Sequence, residues 1–477
     1  MAKLLTRRTF LRAGAGVAGA AALAACGATP TPQVIEKVVT QIVEGTPQVV
    51  KETVVVEKEV QVTAAPAEAA KIVVYECCWN QEHIDAGKAL YETFRQDNPS
   101  ILVEDFWPAG DPGWMEILLA KTAANEQVDI IWWCASHHKF AQEGRLLDMK
   151  PLLEADPSFK MEGVFQDAGI DFCYDVPGRA GPLWGIPTNY ATTLLWYNIA
   201  MFDTASLAYP TADWTYDDLL AAAQTLTKDV DGDGTNDEWG IAIGSDNWYY
   251  EPFLKGWGGG IVEVDGDGCL LNKPETIEAL QWLQNLMHES KVEPLPENTA
   301  AMGEDAMFIS GKLGMVIRPE WAQFNFLPPH ESAGLLYGVS LMPTGPKKRA
   351  TNYWAGITSV TSQTAAPQAA WEVAKFITSD AYQRTMTVFI PESPAARIET
   401  TRYRFEDYDK YPDDRSALIE SPKYGQQYYA IARYGKEMQD IVSPALDPVW
   451  LGTSKPAEVV DAICEQVTAK IAELRAG

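Results

Sequence analysis

Residues 71–106 read KIVVYECCWNQEHIDAGKALYETFRQDNPSILVEDF. Residues 72–75 and 101–106 are short apolar runs, which predicts two mostly buried strands. Between them Ile84, Gly87, Leu90, Tyr91 and Phe94 recur at helical spacing, so one face of that segment should meet a core. A further strand-like run follows at 128–134. Strand–helix alternation of this kind builds α/β layers with mainly parallel sheets. The pattern continues to the C-terminus. Thr215 with Asp218, and Asn272 with Glu275, have capping-box spacing. The first opens a helix through Leu226, and the second a helix with Ile277, Leu280, Leu283 and Met287 on its inner face. Val460, Ile463, Val467, Ile471 and Leu474 lie in phase and predict a last helix over 456–474.

Upstream of residue 71 the chain is of another kind. Thr6-Arg7-Arg8-Thr9-Phe10-Leu11-Arg12 is a twin-arginine run, followed by an Ala/Gly-rich apolar stretch over 13–25 and then Cys26. That stretch is too short to span a bilayer and suits a signal-peptide core. Leu23-Ala24-Ala25-Cys26 resembles a bacterial lipobox, so residues 1–25 are expected to be a Tat-type lipoprotein signal, with cleavage before Cys26 and a lipid on its thiol. Residues 26–70 read as the lipidated N-terminus and a low-complexity tether, with Val-Ile-Glu-Lys at 34–37 and Val-Val-Glu-Lys at 55–58. Two loose copies are too few for a solenoid.

Composition narrows the partners. The hydrophobic fraction of 47% is that of a globular chain. The net charge is −27, and removing the four cations of the signal leaves −31. Such a field disfavours nucleic acid, anionic lipid and a polyanionic ligand. Besides Cys26 there are Cys77, Cys78, Cys134, Cys173, Cys269 and Cys464. An even number in an exported chain permits disulfides without choosing among pairings. Cys77, Cys134 and Cys464 lie in apolar runs, where a free cysteine packs as a small hydrophobe.

Six motifs in consistent order then carry a resemblance. They are Phe94-Arg-Gln-Asp-Asn98-Pro99, Val128-Asp129-Ile130-Ile131, Gly144-Arg-Leu-Leu-Asp148, Gly185-Ile186-Pro187 with Leu194-Leu-Trp-Tyr197-Asn198, Trp214-Thr-Tyr-Asp217-Asp-Leu219, and Gly311-Lys312-Leu313-Gly314-Met315. Together they resemble family 1 extracellular solute-binding proteins of ABC transporters, from about Lys71 to the C-terminus. Val128 stands where that family usually has Pro. The resemblance implies a two-lobed, type II periplasmic-binding-protein fold, each lobe an α/β sheet flanked by helices, with ligand held between the lobes. Hinge crossings are expected near 189–192, 352–354 and 391–395. The first lobe is then 71–190 with 354–393, and the second 191–352 with 394–477. The implied function is an extracytoplasmic receptor, not an enzyme, that delivers a sugar or oligosaccharide to a membrane permease. The expected form is a monomer on the outer face of the cell membrane, held by its lipid and binding no nucleic acid. A secreted glycosidase-like enzyme is the alternative of another class, since an acidic chain always offers carboxylate pairs. A peptide, polyol or polyamine in the same fold is another.

The chain has 16 Trp and 19 Tyr. Sugars present flat C–H faces that stack on aromatic rings, and hydroxyls that need polar partners. Aromatics at strand ends and hinge loops are therefore the ligand-binding candidates: Trp79 with Asn80 and Glu82, Trp133, Tyr190, Trp248, Trp257, Trp321 and Trp354. Trp196, inside a strand-like run, is assigned to the core. Asp229, Asp231, Asp233, Thr235 and Asp237 have the spacing of an EF-hand-like loop and are candidates for a structural Ca2+. Position 12 is Gly240, where a bidentate Glu is expected, so the affinity should be modest. No P-loop, Gly-x-Ser-x-Gly or dinucleotide fingerprint occurs, and no catalytic cofactor is expected.

Overall fold

Two β-branched stretches near the N-terminus pair with each other. β1 (Val34–Val43) lies antiparallel to β2 (Thr46–Val55), in unbroken register from Val34↔Val55 to Val43↔Thr46. Val, Ile and Thr favour extended backbone, and the register sets Lys37 opposite Glu52. The computed structural model describes residues 34–43, 46–55, 69–77, 81–108, 113–133, 137–176, 178–263, 268–389, 394–403, 406, 411–428 and 434–476. The chain divides into two units, 1–67 and 68–477. Cys26, Cys78, Trp79, Asn80 and Cys134 lie outside the described residues.

In the larger unit, β3 (Ala70–Tyr75) runs parallel to β4 (Ile101–Phe106) on one side and to β5 (Ile130–Trp132) on the other. α1 (Gln81–Asp97) makes the crossover and buries Gly87, Tyr91 and Phe94, the face its spacing predicts. Gly87 is needed there, because a Cβ would come within 2.3 Å of the Trp107 ring. A small hairpin, β6 (Tyr174–Val176) and β7 (Ala180–Leu183), precedes the longest strand of this unit, β8 (Ile186–Asn198), in which every residue is buried. β9 (Trp239–Ala242) and β10 (Leu313–Pro319) pair in parallel, while β11 (Tyr337–Ser340) and β10 both run antiparallel to β8. β12 (Thr351–Val360) is antiparallel to β8 and β5, and β13 (Gly425–Gln427) is parallel to β12. The order along the sheet is β4-β3-β5-β12-β8-β10-β9. Both ends are parallel, each with its own helices, and the antiparallel strands β8 and β12 run between them. This is a mixed α/β fold with parallel pairing on either side of a shared pair of strands.

The β9–β11 half is covered by α2 (Tyr216–Leu226), α3 (Asn247–Gly256), α4 (Pro274–His288), α5 (Glu304–Ile309) and α6 (Ala322–Ala333). Thr215 caps α2 in a reciprocal box with Asp218, as its spacing predicts. Lys273 rather than Asn272 precedes α4, with no side-chain cap, because Pro274 occupies the first turn. Trp196 is fully buried against Phe326 and Tyr337.

Two sequence expectations are corrected here. Residues 394–402 do not join the second half. α7 (Asp380–Phe389) and α8 (Ile398–Arg402) belong together: Thr400 Oγ1 donates to Asp380 Oδ1 at 2.6 Å, and Arg397 donates to the Thr378 carbonyl at 3.0 Å. Tyr411 instead stacks on His330 of α6, 3.7 Å between centroids, so the chain changes sides between 402 and 411. Cys464 is likewise no free hydrophobe. It is bonded to Cys269, which ties α9 (Pro456–Ala476) to the turn before α4. Cys77 is also disulfide-bonded, and Cys173 is a buried free thiol.

Candidate functional site

Open α/β sheets collect ligands at the carboxyl ends of their parallel strands. At that end, β9 leads into α3 and β10 into α6. Asp246 caps α3, its Oδ1 accepting from the Trp248 N–H at 2.8 Å, and so fixes where that ring starts. Trp321 sits at the N-cap of α6. The two indoles lie 5.3 Å apart at 34°. Trp248 is 8% exposed, whereas Trp321 remains 37% exposed, so the outer ring offers a face to solvent. Tyr428, just beyond β13, meets Trp248 edge-on at 4.3 Å, and its hydroxyl pairs with Asn247.

Both shared strands hold this ring cluster. The Trp248 carbonyl accepts from Thr193 Oγ1 of β8 at 3.2 Å and from Asn352 Nδ2 of β12 at 3.0 Å. Asn352 Oδ1 in turn accepts from Lys255 Nζ at 2.7 Å, and Lys255 also donates to the Gln427 carbonyl at 2.9 Å. Glu251 Oε1 is 3.2 Å from the same ammonium. Burial pulls Lys255 down from its ordinary value while Glu251 pushes it back up.

A polar edge lies beside the rings. Arg318 is buried and pairs with Asp305 at 2.7 Å and with Glu304, and its guanidinium lies 4.3 Å over the Tyr249 ring. Asn325 Nδ2 donates to Asp305 Oδ2 at 2.9 Å. Along α6, Ala322, Gln323 and Phe326 face inward while Trp321, Phe324 and Asn325 share the outer face. Phe324 is 54% exposed. Behind this edge Glu293 Oε1 accepts from the N–H groups of Ile243 and Gly244, each at 2.7 Å, and burial pushes its carboxyl up to about 8.

Of the predicted residues, Trp248 and Trp321 are brought together. Trp354 is the one residue of β12 that is not buried. It shares a strand face with Asn352, two residues away, and so points to the side where Asn352 holds Trp248. Glu82 is exposed in the first turn of α1. Trp133, Tyr190 and Trp257 are packed into the core instead. Trp133 is 1% exposed between Trp114 and Phe140, with its N–H on Ser359 Oγ at 2.9 Å. Tyr190 is fully buried, stacked on Tyr353 and donating to the Leu418 carbonyl at 3.0 Å. Trp257, at the far end of α3, packs on Tyr216 and Trp282. Phe324, Asn325, Asp305 and Tyr428 were not foreseen. The three-residue step from Trp321 to Phe324 was a usable helical signal; nothing in sequence links Tyr428 to Trp248, 180 residues earlier.

In the acidic loop, ligand atoms of Asp229, Asp231 and Asp237 lie within 4.8 Å of one another. Asp229 also accepts from the N–H groups of Gly232, Asp233 and Gly234, and Asp233 Oδ1 from that of Thr235. Gly240 cannot become the missing Glu, because a Cβ there would come 2.0 Å from the Ala223 carbonyl.

The family model for bacterial extracellular solute-binding proteins matches residues 81–384. The chain belongs to that family. Its fold is shared with an ABC substrate-binding protein from Listeria monocytogenes in complex with cycloalternan, at TM-score 0.69 and 22% identity over 85% of this chain and 99% of that one. A cyclo/maltodextrin-binding protein complexed with maltotetraose aligns with TM-score 0.69 and 19% identity, over 84% and 97% of the two chains. Among sequence relatives, the sn-glycerol-3-phosphate-binding periplasmic protein of Escherichia coli (strain K12) is 26% identical over 340 residues, 64% of this chain and 73% of that protein. No helix among the described residues is long and apolar enough to cross a membrane. As a member of an extracellular binding family, the protein works outside the cytoplasm.

Proposed function

We propose that this solute-binding protein takes a neutral carbohydrate between its two lobes and delivers it to an ABC permease. The observation that carries the reading is the open Trp321 ring, backed by Trp248 and rimmed by the Asn325–Asp305 pair. That combination supplies a stacking face and hydroxyl partners side by side. Glu304 and Asp305 outnumber Arg318 at the edge, which disfavours a phosphorylated ligand. The long strands β8 and β12 serve as the hinge, and closure brings the first-half residues onto the sugar. A thermal-shift panel of malto- and arabino-oligosaccharides, glycerol 3-phosphate and peptides tests this, since binding to the native state raises its melting temperature. A neutral oligosaccharide should raise it without being hydrolysed. A shift with glycerol 3-phosphate or peptide alone would sink the carbohydrate reading, and product formation would point to an enzyme.

The anchor rests on sequence. We hold that Cys26 is the acylated mature N-terminus, on the strength of the lipobox and short apolar core. Cys26→Ser should move the protein from the membrane fraction to the soluble one; an unchanged fraction would place the anchor elsewhere. The 229–237 loop is a proposed weak Ca2+ site, supported by its three gathered carboxylates and limited by Gly240. Extracellular modules of this kind work at ~10⁻⁴–10⁻³ M. Chelation should lower the melting temperature of the native protein and have no effect on Asp231→Ala. Identical melting with and without chelator would leave an ordinary acidic turn.

A further inference from the structure

β8 changes partners along one of its edges. At Thr188 and Tyr190 that edge bonds to residues 394–396, with the Tyr190 N–H on the Pro394 carbonyl at 3.0 Å and the Ala396 N–H on the Thr188 carbonyl at 3.0 Å. From Thr193 to Tyr197 it bonds to β10. Thr192 falls at the junction. Register continues the β10 pairing to Glu320 opposite Thr192, and the Glu320 N–H does reach the Thr192 carbonyl at 3.3 Å. In a regular antiparallel pair the Thr192 N–H would return a bond to the Glu320 carbonyl. That carbonyl is turned away and accepts from the Gln323 N–H at 3.1 Å, as the chain leaves the sheet for α6. The Glu320 side chain fills the vacancy in the ladder: its Oε2 accepts from the Thr192 N–H at 2.6 Å.

We propose that Glu320 is a positioning residue that lets the chain turn out of β10 at this point, setting Trp321 against Trp248 while keeping β8 sealed at the hinge. The inference rests on Trp321 being the ligand ring. A buried N–H without an acceptor is costly, so a turn here needs a substitute for the lost carbonyl. Glu320 is 2% exposed, and its other oxygen has no hydrogen-bond partner among the described residues. Burial pushes its carboxyl well above the usual carboxylate range, with the Thr192 N–H pulling the other way. A carboxyl kept at that cost, for one bond to the hinge strand, matches a role in geometry rather than in charge.

Three variants separate the roles. Glu320→Gln keeps both the length and an acceptor oxygen, Glu320→Leu keeps the bulk alone, and Glu320→Asp keeps the acid but is one methylene short of Thr192. The first readout needs no ligand. Two indoles this close couple their transition dipoles, and the resulting far-ultraviolet circular-dichroism couplet is isolated as the difference from Trp321→Phe. Glu320→Gln should retain the couplet, while Glu320→Leu and Glu320→Asp should lose most of it. With maltotetraose as the probe, Glu320→Gln should bind within about twofold of wild type and the other two roughly tenfold or more weakly, a step of ~1.4 kcal/mol. A couplet that survives in Leu and Asp, or is lost in Gln as well, overturns the proposal. If Leu fails to fold, Asp alone decides it. A wild type that ignores maltotetraose counts against that sugar as ligand, and the couplet still decides the role of Glu320.

Discussion

Trp321→Ala should weaken binding of the sugar found in the ligand panel roughly 10- to 150-fold, and leave the unliganded melting temperature nearly unchanged. The ring already has a substantial open face, so little of its surface contributes to the apo fold. On closure it loses the remaining water. Burying an aromatic side chain contributes ~1.5–3 kcal/mol, and each ~1.4 kcal/mol is tenfold in affinity. Trp196→Ala is the control, because its fully buried ring would leave a cavity costing ~3–5 kcal/mol of stability. Calorimetric titration beside a melting scan of each apo variant separates the two behaviours. A large fall in apo stability for Trp321→Ala would return that ring to the core. Full affinity in a stable variant would remove it from the site.

Replacing both Cys269 and Cys464 by Ala should lower stability by about 2–4 kcal/mol, with the fold intact. The bond joins residues 195 apart, so it removes a long loop from the unfolded ensemble. With ~2 cal/mol/K of unfolding entropy per residue over about 400 residues, the melting temperature should drop roughly 2–5 °C. α9 would still be packed, through Val460, Ile463, Val467 and Ile471, which are buried without help from sulfur. Reducing the wild type should lower it by at least as much, because Cys77 is disulfide-bonded as well. A reducing agent that shifts the wild type and the double variant equally would show that this bond is not the cause.

The α/β class was legible because its signal is local. The inward face of α1, the capping box at Thr215 and the in-phase residues of α9 are each set by neighbours within a few turns. The site was legible only in part. Sequence picked aromatics near strand ends, and Trp248 and Trp321 are among them; Trp133 and Tyr190 satisfy the same rule yet are sealed in the core. Position relative to a strand end does not say which face the ring takes. That depends on side-chain partners such as Ser359 for Trp133 and Tyr353 for Tyr190, which arrive from more than 160 residues away.

By itself the sequence determined the α/β layering, the family and the strong acidity. These follow from composition, spacing and period, which are properties of contiguous chain. Only the tertiary structure decided which cysteines meet, where residues 394–402 pack, and that Tyr428 and Asn352 hold Trp248 in place. It also decided that a carboxylate, Glu320, completes the ladder of β8. Each of these joins segments that lie apart in the chain and meet only when it is folded. Such contacts are set by bonding and packing geometry between distant segments, which leaves no periodic trace in the chain.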